Sequence, residues 1–97
     1  SQHPQQDSAR QTTADRRERI RQIDQETDKK VQALIQAQHQ AQVEEAAVFM
    51  EKITTVSADE RTRLLRDYEQ KQREAGDQLR EQVQALRAEA NELKRQL

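Results

Sequence analysis

The chain reads as all-α: an antiparallel two-helix hairpin, coiled-coil-like, that oligomerisation would complete into a helical bundle. Three observations predict this. Apolar residues recur in steps of three and four, the period of one helix face. One Gly and one Pro occur in 97 residues. Near the middle stands Val56-Ser57-Ala58-Asp59-Glu60, where Ser57 with Glu60 three places on has the form of a capping box, the mark of a helix that restarts.

Composition supports a seam rather than a thick core. Hydrophobic residues make up 32% and charged residues 36%, against roughly 45–50% and about 25% in an ordinary domain. A helix pair needs only two or three apolar positions in seven. The net charge is −1, from 17 basic and 18 acidic residues that are well mixed. That argues against nucleic-acid or membrane-surface binding driven by bulk charge. No cysteine is present, which excludes disulfides and thiolate chemistry and fits any compartment. No apolar run approaches the ~18–20 residues of a membrane span. The chain opens at Ser1 without Met, as a processed or excised chain does. That leaves room for an upstream signal or anchor and leaves periplasm and cytoplasm both open.

Taken in order, residues 1–11 are polar, contain Pro4 and lack an apolar anchor; they are expected to be a disordered tail. Thr12-Thr13-Ala14-Asp15 offers an N-cap and a first-turn acid, so the first helix is expected over 13–55. Its apolar positions include Ile20, Ile23, Val31, Leu34, Ile35, Ala46, Val48, Phe49, Met50, Ile53 and Val56. The stripe is thin through the Gln-rich middle and crowded at Ala46-Ala47-Val48-Phe49-Met50, which covers every side of the helix. Thr54, Thr55 and Val56 are β-branched and lower helix propensity. The bend is placed at 56–58, with Val56 as a staple residue before the cap.

The second helix is expected over 58–96. Its stripe runs Leu65, Tyr68, Gln72, Ala75, Leu79, Val83, Leu86, Ala90, Leu93, Leu97. The two successive steps of four around Leu79 and Val83 read as a stutter. A reversal at Val56–Ser57 sets residue i of the first arm against about 114 minus i of the second. Phe49 then meets Leu65, Ala46 meets Tyr68, and Gln42 meets Gln72 in a polar layer. His39 meets Ala75 beside Gly76, Ile35 meets Leu79, Val31 meets Val83, and Ile20 to Ile23 lie near Ala90 to Leu93. Arms of about 60 Å follow at 1.5 Å per residue.

Candidate chemistry is sparse. His39 has Gln42 and Val43 at the spacings where further metal ligands would sit, so it reads as a seam histidine. Met50 is the only methionine. No metal and no cofactor is expected. Arg16-Arg17-Glu18-Arg19-Ile20-Arg21 is basic but flanked by Asp15, Asp24, Glu26 and Asp28, with no aromatic residue interleaved for stacking on bases. It reads as a solvated face, and no nucleic-acid partner is expected. Ser1 and Ser8 lie in the tail and Ser57 is a cap, so no nucleophile has a base and no enzyme is expected. The apolar knot has two readings: a well-packed hairpin tip, or Val48 and Met50 turned outward into a second protomer or partner.

The run Val56-Ser57-Ala58-Asp59-Glu60, followed by an Arg/Glu/Leu-rich helix, resembles the Leu-Thr-x-x-Gln repeat of small periplasmic helical-hairpin proteins of the Spy and CpxP kind. Val, Ser and Glu stand here where that repeat has Leu, Thr and Gln. The resemblance implies a periplasmic stress chaperone or metal-stress sensor. The excess of Arg (12) over Lys (5) fits a GC-rich bacterial source.

The function expected from the residues is a non-enzymatic interaction or assembly module. It would meet itself or a protein partner through Ala46, Val48, Phe49, Met50, Ile53, Leu65 and Tyr68. The Spy/CpxP-like chaperone or sensor is one alternative. A segment of a long parallel coiled coil, about 120 Å or more in length, is the other.

Overall fold

A computed structural model describes residues 4–97, with side chains from Thr12 onward. It contains two helices, α1 (Pro4–Ile53) and α2 (Ala58–Arg95), which pack antiparallel along one seam. The chain is therefore a hairpin and not part of a continuous parallel rod. It measures 85 × 18 × 9 Å, with a radius of gyration of 23.4 Å; a compact chain of this length has about 12–13 Å.

α1 is longer than its sequence suggests. It starts at Pro4, ahead of the expected cap at Thr12-Thr13, and residues 4–11, expected as tail, are helical. Proline fits the first helical turn, where its missing N–H has no partner to lose. The Gln, Ala and Arg that follow are good helix formers. Ser1 to His3 of the expected tail lie outside the described residues. α1 ends at Ile53, two residues before the expected boundary. Thr54 and Thr55 turn their hydroxyls back onto the carbonyls of Glu51 (2.8 Å) and Lys52 (3.0 Å), so the side chains compete for the last carbonyls of the helix. Ser57 is extended, at φ −66° and ψ 165°, and its Oγ accepts from the Glu60 backbone N–H at 3.3 Å. The Arg61 N–H donates to the Ser57 carbonyl at 2.9 Å, which starts α2. Asp59 and Glu60 in the first turn, and Lys94 and Arg95 in the last, suit the two ends of the helix dipole.

The register differs from the one expected. Phe49 stacks on Tyr68, not Leu65. Gln72 Nε2 donates to Glu45 Oε2 at 3.0 Å, not to Gln42. Lys94 Nζ donates to Asp24 Oδ1 at 2.8 Å. These pairs set residue i of α1 level with about residue 117 minus i of α2. The arms are thus offset by nearly one turn from the expected pairing. Gln42 lies level with Ala75, not Gln72; His39 with Gln78, not Ala75; Ile35 with Gln82, not Leu79; Ala46 with Lys71, not Tyr68. Val31 lies level with Leu86, not Val83, and Ile20 and Ile23 with Leu97 and Lys94. The cause is the linker. The chain climbs past the end of α1 before α2 begins, so the first six residues of α2, about 9 Å of helix, only bring it back down to Ile53. The long dimension agrees: about 75 Å of α1 plus about 9 Å of overshoot matches the measured 85 Å.

The new register also resets the seam. Apart from Gly76 beside Ala75, the less exposed positions of α2 are Leu64, Tyr68, Gln72, Ala75, Leu79, Val83, Leu86, Ala90 and Lys94. Leu65 and Leu93, placed in the seam by sequence, are 43% and 41% exposed. The steps are 4, 4, 3, repeated, which is an eleven-residue period. The expected single stutter is therefore the rule throughout α2. α1 follows the same rhythm through Ile20, Ile23, Thr27, Val31, Leu34, Gln38 and Gln42, then takes one further step of four to Ala46 before Phe49 and Ile53. Eleven residues in three turns is 3.67 per turn, close to the natural pitch of an α-helix, so the arms need almost no supercoiling to stay in contact. The tightest packing lies toward the open end. Ile23, Val31 and Ala90 are 3%, 6% and 5% exposed, because the small Ala90 sits level with Thr27 and lets the arms close between the two branched residues.

Candidate interaction surface

The middle of the seam is polar on the α1 side. Gln38, Gln42 and Glu45 stand level with Leu79, Ala75 and Gln72. Immediately beside it, each one residue past a seam position, run Ile35, His39, Val43 and Met50. One residue is about 100° of rotation, so this second stripe lies along one side of the hairpin, off the α2 contact. Ile35, Val43 and Met50 are 46%, 57% and 60% exposed, while Ala46 is half-buried at the edge of the seam. In α1, Ile35, Val43 and Met50 thus lie off the intramolecular contact and on the outer flank, while Ala46 and Phe49 stay in it.

The first part of this flank is also free of formal charge. Val31 to Val43 contains no Asp, Glu, Lys or Arg in a chain that is 36% charged. Ile35, Gln36, His39, Gln40, Val43 and Glu44 surround a shallow hollow on the outside of α1. Four of them, Gln36, His39, Gln40 and Val43, have the spacing of a coiled-coil hole that receives a knob from another helix.

The residues expected to bind a partner divide between two faces. Val48, Phe49 and Tyr68 line a groove between the arms near the tip, with Leu64 as part of its floor and Glu44, Lys52, Asp67 and Lys71 along its rim. The Phe49 and Tyr68 rings lie 4.4 Å apart at 19°, both half-buried, so they hold the tip together as well as line the groove. Val48, 50% exposed, opens toward this side. Met50 and Leu65 lie on the opposite side, and Ile53 is half-buried in the seam. The structure thus does not gather all seven into one patch. Val43, Ile35 and Leu64 were not among them. Their signal in the sequence was the eleven-residue period, which separates 35, 43 and 50 from the seam positions one residue earlier.

The basic cluster lies where α1 runs past the end of α2, since Leu97 is level with about Ile20. Arg16, Arg17 and Arg19 are exposed there. Arg21 donates to Glu18, and that bond holds the Glu18 carboxyl below its ordinary range. His39 is exposed and not a seam residue; His3 lies outside the described residues. Among the described residues no three His, Asp or Glu side chains converge as a metal site, and no helix is long and apolar enough to cross a membrane. No family model, curated protein or solved structure matches the chain.

Proposed function

We propose that the protein is a non-enzymatic interaction module, a helical hairpin whose outer α1 flank docks against protein. The observation that carries this is the transfer of apolar residues from the α1 seam to its outer flank between Ile35 and Met50. A helix that served only its own hairpin would place Gln and Glu outside and Ile, Val and Met inside. Exposed apolar residues gathered along one flank mark contact surfaces rather than folding needs. A photo-crosslinking amino acid at Met50, introduced in the cell that makes the protein, tests the reading. Discrete protein adducts are expected; a lack of adducts above those formed at Ala88, exposed on the face of α2 turned from α1, would refute it.

A second reading is favoured by the groove at the tip. Its floor of Val48, Phe49, Leu64 and Tyr68 and its mixed-charge rim suit a short unfolded segment, in the manner of Spy- and CpxP-like chaperones. It predicts suppression of client aggregation that Val48→Glu abolishes.

A further inference from the structure

We infer that the occupant of the outer α1 flank is a second copy of the same chain, docked antiparallel about a two-fold axis at Val43. This rests on the proposed interaction role and names its partner.

Three observations point to self-association. The first is area. The chain exposes 8168 Å², whereas a compact monomer of 11.4 kDa exposes about 5800 Å². The excess, about 2400 Å², is three times the ~800 Å² each partner gives to a standard interface. The second is self-complementarity. The stripe Ile35, His39, Val43, Met50, with half-buried Ala46 on its seam-side edge, is centred near Val43 and reads almost the same in either direction, in steps of 4, 4, 3, 4. A two-fold axis there sets Ile35 against Met50 of the second copy, His39 against its Ala46, and Val43 beside its own equivalent. An isologous contact requires such a patch, since each residue must serve both sides. The hollow around His39 then lies opposite the part of the second stripe between Val43 and Met50, which supplies the knob. The third is charge. The axis lays 31–43, which contains none, against 42–54 of the second copy, so Glu44, Glu45, Glu51 and Lys52 each meet an uncharged stretch and no like charges are set against each other. A partner of other sequence would need no such self-matching stripe. The product is a four-helix assembly in which Arg73, Arg80 and Arg87, each one residue past a seam position of α2, border the docked face.

The chain has no cysteine, so Val43→Cys can cross-link only between copies. Under mild oxidation the full chain carrying Val43→Cys is expected to form a covalent dimer at least tenfold faster than Val48→Cys, whose side chain faces the other side. Sedimentation equilibrium of the unaltered chain should give twice the monomer mass. Val43→Glu, which sets two carboxylates together on the axis, should weaken the dimer by roughly a hundredfold while leaving the helical circular dichroism signal unchanged. A monomer at all concentrations, or equal cross-linking at the two positions, overturns the inference. If Met50 still gives photo-adducts with a different protein in that case, the interaction role stands and only self-association falls. If it gives none, both fall.

Discussion

Replacing Phe49 with alanine tests what holds the tip. Its ring stacks on Tyr68 at 4.4 Å and 19°, and both side chains are half-buried. Truncating a fully buried Phe costs about 3–5 kcal/mol. At half burial that falls to about 2 kcal/mol, and the lost aromatic contact adds about 0.5–1.5 kcal/mol. A loss of about 2–3 kcal/mol is expected, read from urea unfolding followed by circular dichroism. Since a long two-helix ribbon opens piecewise, hydrogen exchange gives a sharper reading: amides around Lys52 and Leu64 should lose protection while those near Ile23 and Ala90 keep theirs. A double-mutant cycle with Phe49→Leu and Tyr68→Leu should show a coupling of about 1 kcal/mol. A loss below about 0.5 kcal/mol, with no coupling, would show that the rings are neighbours without being a clasp. The register would then rest on the polar pairs alone.

Three further outcomes follow from local geometry. Gly76 is helical and a methyl group built on it meets nothing within 4 Å, so Gly76→Ala should raise stability by about 1 kcal/mol, seen as a higher urea midpoint at unchanged slope. Ser57→Ala removes the acceptor for the Glu60 N–H and should cost about 1 kcal/mol, with fraying confined to the first turn of α2 in hydrogen exchange. Asp24→Asn breaks the 2.8 Å ion pair with Lys94, whose partners are 50% and 28% exposed. It should cost no more than about 1 kcal/mol, and the difference from the unaltered chain should shrink as salt is raised.

The two-helix architecture was legible because it depends on features that are local in the sequence. The absence of helix breakers over most of the chain, the β-branched run at Thr54–Val56 and the Ser57 cap each act within a few residues. Register was not legible in the same way, because it depends on how far the four linker residues climb. Nothing in their identity fixes ψ 165° at Ser57 or the overshoot of α2 beyond Ile53. An error of nearly one turn there reassigned the contacts all along the hairpin: it exchanged Leu65 for Leu64 and Leu93 for Lys94, and moved the polar layer from Gln42 to Glu45. Val48 and Met50 are both exposed, and the pairing shows why they cannot serve one surface: they flank the seam residue Phe49 on opposite sides. The outer stripe was hidden for a related reason. Read as heptads, Ile35 passes for a slightly misplaced core residue. Against the observed seam it falls on a separate line with Val43 and Met50.

That period makes a sharp test of the whole pairing. Deleting 35–45 from α1 together with 72–82 from α2 removes level segments, since each end satisfies the observed register. Eleven residues turn a helix by about 1100°, only about 20° beyond three full turns. Leu34 is then followed by Phe49 four places on, and Tyr68 by Val83, so the 4, 4, 3 rhythm is unbroken. The cut takes out the polar seam residues Gln38, Gln42, Glu45 and Gln72, so the shortened hairpin should melt cooperatively at a temperature no lower than the parent. Deleting 36–44 and 73–81 instead leaves more residues in place but rotates each outer segment by about 900°, half a turn out of phase. That variant should lose cooperative melting, because Phe49 and Ile53 turn to solvent whenever Val31 and Leu34 face α2. If the two deletions behave alike, the seam has no eleven-residue period and the separate outer stripe loses its basis. If they differ as expected, the first variant also separates folding from association. It keeps the hairpin but lacks Ile35, His39 and Val43, and should sediment as a monomer where the full chain forms a dimer.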